Sequence, residues 1–213
     1  PEMDFAQYHS YNEKHPVDVT VKVIQGFHER YGKPVFVGEY GTDFRGWKPD
    51  TDPHLRALHQ AIWSGAFTGA AGTGMSWWWQ SLHKAGRYQS WASLASFLEG
   101  SGIGRADWSP LRLEVTGDAS VKVLGVGSST EAVAWVLDSR YSWPDGAMDE
   151  EPTPCSDVKV LIRGLQDGTC SVEWWQPVAG KPAKREVCTV EDGKLQLAVP
   201  TFRMDLAVRI RKQ

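Results

Sequence analysis

The sequence predicts a chain of two parts, a parallel α/β region followed by an all-β region that forms an antiparallel β-sandwich. Residues 1 to about 100 alternate short apolar runs with stretches of helical periodicity. From about residue 110 onward, short alternating strands recur with turn signals between them. A glycine-rich linker at residues 100–104 separates the two patterns, so we divide the chain into residues 1–104 and 105–213.

The first part alternates strand and helix three times. Gly32 suits the end of its first helix, and Pro53 suits the first turn of its second helix. The continuous apolar run at 34–39 is typical of a strand that is buried on both faces. The predicted elements, in order, are a strand at 4–9, a helix at 18–31, a strand at 34–39, a helix that begins near 53, a strand at 75–79 and a helix at 88–99.

The second part is predicted to contain eight strands. Gly193 and the Gly180-Lys181-Pro182 stretch mark hairpin turns. Seven or eight short strands at this spacing are typical of a sandwich. An acidic, proline-containing stretch at 142–154 is predicted to be a long surface loop. The predicted strands are 111–116, 120–127, 131–138, 158–163, 169–176, 184–190, 194–199 and 205–211.

The composition is that of an ordinary globular protein. Of the 213 residues, 23% are charged and 41% are hydrophobic. The net charge of −3 gives no reason to expect nucleic acid or an anionic membrane as a partner. No apolar run approaches the roughly 20 residues of a membrane-spanning helix. No metal-ligand spacing is present, and we expect neither a metal nor a cofactor.

Three strand–helix units are too few for a closed parallel barrel, which needs eight strands and typically about 250 residues. An open three-stranded parallel sheet would leave apolar faces and strand edges exposed. Either an upstream segment supplies the missing strands, which we favour, or other copies of the chain cover these faces. The start at Pro1 shows neither an initiator methionine nor a signal segment, and we expect it to be the interior of a longer polypeptide.

Residues suited to chemistry follow each predicted strand of the first part. They are Tyr8-His9-Ser10-Tyr11, Glu39-Tyr40 and Trp78-Trp79-Gln80. Because the carboxyl ends of parallel strands line the site in α/β folds, these side chains are expected to meet at one rim. Taken singly, Glu39 could instead pair with a basic neighbour, and His9 could be a structural histidine. Because successive side chains of a strand alternate in direction, one or two of the rings at 77–79 must point away from the interior of the barrel.

The order of these motifs resembles strands six, seven and eight of a clan A glycoside hydrolase, with the cellulase-like family 5 as the nearest match. The C-terminal stretches at 195–200 and 205–208 resemble the β-domain of its relatives, sometimes labelled a collagen-binding domain. The resemblance covers essentially the whole chain. It implies the C-terminal portion, about strands 6–8, of a TIM (β/α)8 barrel followed by an antiparallel β-sandwich, and a secreted or periplasmic protein. It rests on His9-Ser10-Tyr11, Gly38-Glu39-Tyr40-Gly41, Trp77-Trp78-Trp79 and the helical segment at 59–72.

The resemblance implies a role for each matching residue. Glu39 would be the catalytic nucleophile of a retaining enzyme that cleaves β-glycosidic bonds in a polysaccharide or oligosaccharide. Tyr11 would donate a hydrogen bond to that carboxylate, and His9 would line the subsite beside it. The remaining substrate contacts would come from Trp78 or Trp79 as the floor under the sugar, and from Trp47, Asp43 and Arg45 on the following loop.

One part of the family pattern is missing from this chain. A retaining glycosidase needs a second carboxylate about 5 Å from the nucleophile, and in clan A this glutamate follows an asparagine at the end of strand four. Asn12-Glu13 follows the first strand here, which is the wrong place. We therefore expect the N-terminal half of the barrel, on an upstream segment or another chain, to supply it. Without that acid the rate falls by roughly 10²–10⁴-fold, so the isolated chain should be inactive.

The 11 tryptophans leave a second class of function open. Indole rings stack on sugar rings as well as packing in cores. The chain could therefore be a non-catalytic carbohydrate- or protein-binding fragment whose sandwich is the functional module. That role would need exposed rings in the second part, drawn from Trp135, Trp143, Trp174 and Trp175. A sandwich that only braces the barrel ranks above binding.

The three cysteines, Cys155, Cys170 and Cys188, permit at most one internal disulfide. All three could instead be small buried apolar residues of a β-domain. Cys170 and Cys188 lie on strands that are predicted to pair, so a bridge between them is possible.

Overall fold

The computed structural model describes residues 3–11, 14–42, 51–146, 148 and 151–213. The chain divides into two compact units, one formed by Pro1–Trp91 with Tyr141–Glu150 and the other by Ala92–Arg140 with Glu151–Gln213. None of the helices in the described ranges has the length and apolar character needed to cross a membrane. In chain order the elements are β1 (Ala6–Tyr11), α1 (Pro16–Tyr31), β2 (Val35–Gly41), α2 (Arg56–Phe67), α3 (Trp79–Lys84), α4 (Gln89–Leu98), β3 (Ser109–Pro110), β4 (Arg112–Thr116), β5 (Val121–Gly127), β6 (Glu131–Asp138), a 3-10 turn (Ser139–Tyr141), β7 (Lys159–Arg163), β8 (Gly168–Gln176), β9 (Lys181–Val190), β10 (Lys194–Ala198) and β11 (Asp205–Lys212).

The first unit contains parallel chain segments linked by helices, as predicted. Strands β1 and β2 pair in parallel, with Ala6 opposite Val35 and Tyr11 opposite Gly41. Residues 71–77 run parallel to β2, and isolated bridges join them to it at Gly72 and Ser76. The carboxyl ends of the three segments therefore lie at one edge, which is the arrangement that the strand-end motifs require.

The predicted third strand at 75–79 is wrong beyond Trp77. The backbone N–H of Tyr40 donates to Met75 O at 2.8 Å, and that of Trp77 donates to Tyr40 O at 2.8 Å. Strand β2 ends at Gly41, so it offers no further ladder partners. The N–H of Trp78 bonds instead to Ser76 Oγ at 3.3 Å, and α3 begins at Trp79.

Helix α2 is buried on all sides, which is unusual for a helix with polar residues. The loop that begins at Tyr141 covers one side of it. The amide of Gln60 donates to Tyr141 O and accepts from the N–H of Trp143, both at 3.1 Å. The first residues of the predicted surface loop at 142–154 therefore contribute to the core of the first unit instead, because they satisfy the buried polar groups of α2.

The second unit contains two antiparallel sheets with the strand orders β10-β7-β4 and β3-β5-β6-β11-β8-β9. All eight predicted strands are present, and the two-residue β3 is additional. Alternate residues of strands in both sheets are apolar and belong to one buried cluster. Members of that cluster include Val160 and Ile162 on β7, Leu195 and Leu197 on β10, and Val208 and Ile210 on β11.

Three of the four tryptophans that a sugar-binding role would use are inside the second unit. Trp135 and Trp174 are 0% exposed, and Trp175 is 8% exposed. The indole N–H of Trp135 donates to Asp205 Oδ2 at 2.8 Å, and that of Trp174 donates to Glu186 Oε1 at 2.6 Å. The three rings are buried, and the indole N–H groups of Trp135 and Trp174 are satisfied inside the protein, so these rings offer no sugar platform. Trp143 is half-buried and belongs to the first unit.

Candidate active site

The pairing of β1 with β2 changes register directly before Glu39. Tyr8 lies opposite Val37, but His9 lies opposite Glu39, so Gly38 is an extra residue in β2. Such an irregularity changes the direction in which the next side chain points. A Cβ atom at position 38 would lie 2.4 Å from Nε2 of Gln7 and 2.8 Å from its Cγ. Glycine is therefore required here unless Gln7 moves, and the bulge lets Glu39 leave the buried face that Val37 occupies.

Two donors converge on one oxygen of Glu39. The phenol of Tyr11 donates to Oε2 at 2.5 Å. Nδ1 of His9 lies 3.1 Å from the same oxygen. The first distance is that of a strong O–H···O⁻ bond to an ionised carboxylate. Within the described ranges, no hydrogen bond or ion pair to Oε1 of Glu39 is found, and the side chain is 29% exposed. One oxygen is thus held while the other is reachable.

The protonation states of the two donors follow from their surroundings. Burial, the hydrogen bond to Glu39 and the negative charge of Glu39 hold the pKa of Tyr11 well above its ordinary value. The phenol therefore remains a donor wherever Glu39 is ionised. Nε2 of Gln7 lies 2.5 Å from Nε2 of His9. Since the amide nitrogen only donates, His9 Nε2 accepts and a neutral ring carries its proton on Nδ1, which faces Glu39.

Trp78 lies beside Tyr11 at the end of β2. A Cβ atom at Gly41 would lie 3.1 Å from the Tyr11 ring and 3.2 Å from Trp78 Nε1. The missing side chain at Gly41 thus allows both rings to approach the strand end. Trp79 is the first residue of α3 and is 48% exposed.

The structure brings four of the predicted site residues together. Glu39, His9, Tyr11 and Trp78 are brought together, whereas Trp79 makes no described contact with Glu39. Trp47, Asp43 and Arg45 lie outside the described residues. In the part of the chain that the structure describes, no cluster of three His, Cys, Asp or Glu side chains is placed to hold a metal ion.

A buried carboxyl group beside the site was missed by the sequence analysis. Asp52 is 1% exposed and accepts the backbone N–H of Arg56 at 2.7 Å and of Ala57 at 3.1 Å. Burial raises the pKa of Asp52 to about 6, although these bonds and the Arg56 charge oppose the rise. An aspartate directly before Pro53 was the available signal, since aspartate side chains cap helix N-termini. Asp52 lines a small pocket with Tyr40, Gly41, Thr42, Leu55, Leu58, Ser76, Trp78 and Leu82.

Tyr40 is the neighbour of Asp52 in this pocket. Its side chain is 3% exposed, and its hydroxyl has no hydrogen-bond partner among the described residues. Burial and the charge of Asp52 raise the pKa of Tyr40 well above its ordinary value. This pocket therefore contains a buried phenol and a carboxyl group whose pKa is raised to about 6 by burial.

The fold is that of known glycoside hydrolases. No protein-family model and no curated protein sequence matches this chain. A family 30 endoxylanase from Clostridium papyrosolvens C71 has 12% identity and a TM-score of 0.57, with 99% of this chain and 49% of that chain covered. A family 5 glycoside hydrolase from Bacteroides vulgatus ATCC 8482 has 12% identity and a TM-score of 0.52, with 92% and 45% covered.

A third solved structure has the same fold. The family 30 subfamily 8 xylanase from Clostridium acetobutylicum has 10% identity and a TM-score of 0.51, with 88% of this chain and 45% of that chain covered. This chain spans about half the length of the solved chains that it matches. At these identities the likeness establishes the fold, which these glycoside hydrolases share.

Proposed function

We propose that this chain is the C-terminal part of a retaining glycoside hydrolase, with Glu39 as the nucleophile. The observation that carries the proposal is the convergence of Tyr11 Oη and His9 Nδ1 on Oε2 of Glu39, at 2.5 and 3.1 Å. Two donors on one oxygen orient the carboxylate. The other oxygen then points its lone pairs at the space where a sugar would lie.

The chemistry needs two displacements at the anomeric carbon. In the first, Glu39 Oε1 bonds to that carbon, the glycosidic C–O bond breaks and the leaving oxygen takes a proton from a general acid. In the second, water transfers a proton to the same acid–base residue and its oxygen displaces Glu39. Trp78, next to Tyr11 at the strand end, would provide the apolar surface under the sugar ring.

The acid–base residue is proposed to lie on the N-terminal half of the barrel, which is either an upstream segment or another chain. Glu39 is the only Asp or Glu in the described ends of the three parallel segments, residues 9–11, 39–42 and 75–80. The coverage of about half of each solved relative supports the same assignment. We therefore expect the 213 residues alone to be inactive on polysaccharides.

The two parts of the chain are proposed to differ in role. Residues 1–104 would be the end of a (β/α)8 barrel, and residues 105–213 a β-sandwich with a structural role. The alternative function, a non-catalytic fragment that binds carbohydrate through the sandwich, has less support because Trp135, Trp174 and Trp175 are buried. A β-linked plant or microbial polysaccharide is the proposed substrate class, with xylan the first choice because two of the similar structures are xylanases. A secreted or periplasmic location fits such a substrate.

The nucleophile assignment can be tested in the complete protein that contains this chain. The substrates are xylan and dinitrophenyl β-xylosides, whose leaving group needs no protonation. We expect Glu39→Gln to lose on the order of 10³-fold or more in kcat on both, because covalent catalysis is removed. Glu39→Ala should regain turnover of the aryl glycoside in azide and release the α-glycosyl azide, since azide attacks from the vacated side.

Glu29→Gln is the matched control, because Glu29 is an exposed residue of α1. It should keep the activity of the unmodified protein. Activity of Glu39→Gln equal to that of Glu29→Gln would refute the assignment. A β-configured azide product would show that Glu39 is not the displaced nucleophile.

A further inference from the structure

Cys170 and Cys188 lie directly opposite each other on neighbouring antiparallel strands. They pair in the register of β8 with β9, and both thiols are free. Residues directly opposite in such a ladder point to the same face of the sheet. Both side chains accordingly lie against the same apolar cluster, Cys170 buried and Cys188 half-buried. The thiol of Cys170 already reaches its neighbour, because it donates to Cys188 O at 3.5 Å.

The separation that this register imposes suits a disulfide. Opposed residues of an antiparallel pair have Cα atoms about 4.5–5.5 Å apart, and disulfides span Cα distances of roughly 4.4–6.8 Å. The Cβ atoms of such pairs are about 4.5–5.5 Å apart, slightly more than the bond prefers. Rotation of the two thiols and a small approach of the strands are therefore sufficient. A bridge with this geometry is more easily reduced than an unstrained one.

The third cysteine has a different environment. Cys155 pairs with Phe202 in an isolated bridge, and its thiol lies 3.8 Å from Asp118 Oδ2. A nearby carboxylate and burial raise the pKa of the Cys155 thiol, with burial the larger cause. Neither Cys170 nor Cys188 is its strand partner. Cys155 therefore serves as an internal control that should remain a thiol.

The position of β9 gives a bridge a structural consequence. Strand β9 is at the edge of the six-stranded sheet and pairs in it only with β8. Its register shifts between Trp174 and Trp175, so the pairing is irregular on one side of the cysteines. A covalent link would hold the edge strand in register and would restrict the unfolded chain between the two cysteines.

We propose that Cys170 and Cys188 form an intramolecular disulfide when the protein meets a disulfide oxidant, while Cys155 remains reduced. The more exposed Cys188 attacks the oxidant, forms a mixed disulfide and expels one thiol. Cys170 then attacks the sulfur of Cys188 and expels the second thiol. Two protein thiols are oxidised, one oxidant disulfide is reduced to two thiols, and the two protons end on the released thiols. The inference is independent of the proposed glycosidase function.

The thiol environments also predict the pH dependence of the reaction. Burial and the adjacent Cys188 raise the pKa of Cys170, and burial and Glu186 raise the pKa of Cys188. Since the thiolate is the attacking species, oxidation should become faster as the pH rises from 7 to 9.

The test uses the 213-residue chain, reduced and then incubated with oxidised glutathione. After alkylation in denaturant, intact mass should show one alkylated thiol, against three in the reduced sample. Proteolysis without reduction should yield a linked peptide pair that contains Cys170 and Cys188. The Tm of the oxidised chain should rise by roughly 5 °C, and the rise should disappear when the bridge is reduced.

Three variants make the result specific. Cys188→Ala should keep two alkylatable thiols after oxidation, whereas Cys170→Ala should keep one and carry a glutathione adduct on Cys188. Neither variant should yield a linked peptide or show the rise in Tm. Cys155→Ala should keep none after oxidation and two after reduction. Three alkylated thiols in the oxidised unmodified chain, stable glutathione adducts without a linked peptide, or a bridge that includes Cys155 would each overturn the proposal. The mass measurement on the unmodified chain decides the matter even if a variant fails to fold.

Discussion

Asp52 should make the protein less stable as the pH rises from 4 to 7, and Asp52→Asn should remove this effect. Burial raises the pKa of Asp52 from 3.8 to about 6 in the folded chain. Between these values the unfolded chain has released its proton and the folded chain still holds it. The folded state then binds more protons, so its stability falls with rising pH and becomes level above pH 6.

The size of the effect follows from the pKa difference. A shift from 3.8 to about 6 is roughly 2 units, which corresponds to about 3 kcal/mol of stability lost at neutral pH. Asparagine retains one oxygen that can accept the N–H of Arg56 but leaves the N–H of Ala57 without its acceptor. That loss is about 0.5–1.5 kcal/mol. We therefore expect Asp52→Asn to be about 2 kcal/mol more stable than the unmodified chain near pH 8, and about 1 kcal/mol less stable near pH 4.

Urea unfolding followed by tryptophan fluorescence measures this difference. Other carboxyl groups contribute equally to both proteins, so the difference in unfolding free energy isolates Asp52. Asp18→Asn is the control, because Asp18 is an exposed residue in the first turn of α1. It should lower stability near pH 8 by only about 0.3–1 kcal/mol. A difference between Asp52→Asn and the unmodified chain that does not change between pH 4 and 8 would refute the reasoning.

Three further substitutions test the site and the backbone. Tyr11→Phe removes the donor 2.5 Å from Glu39 Oε2. The kcat of the complete enzyme on dinitrophenyl β-xylosides should therefore fall by about 10- to 100-fold. An unchanged kcat would contradict the role of Tyr11. Gly26→Ala in α1 meets no atom within 4 Å, and the urea midpoint should show stabilisation by about 0.5–1 kcal/mol. Gly117→Ala should destabilise the folded chain by about 1–3 kcal/mol in the same assay. Gly117 has φ 111°, and the new Cβ would lie 2.4 Å from Asp157 O. Equal effects of the two glycine variants would be inconsistent with this structure.

The strands of the second unit could be predicted to within a few residues because their signal is local. Where a strand buries one face, every second residue is apolar, as Leu195 and Leu197 are in β10. The end of the third parallel segment could not be predicted in this way. Trp77, Trp78 and Trp79 suit a strand by composition, and the end of β2 at Gly41 decides where the ladder stops.

The buried polar groups of the first unit depend on distant parts of the chain. Gln60 bonds to Tyr141 and Trp143, more than eighty positions away. Asp52 accepts the first backbone N–H groups of α2, which is a local contact. Its raised pKa results from burial, in a pocket that Tyr40 and Trp78 also line. Sequence periodicity contains no information on such contacts, since it describes only which faces are apolar.

The sequence by itself determined that Glu39 lies near the end of an apolar strand and that His9 and Tyr11 lie near the end of the preceding one. It also determined where along the chain the later strands lie, because both properties are patterns of adjacent residues. Only the tertiary structure decided that Gly38 shifts the register, so that His9 and Tyr11 share one oxygen of Glu39 and leave the other accessible. The physical reason is that a one-residue shift changes the direction of a side chain without changing the apolar pattern of its strand.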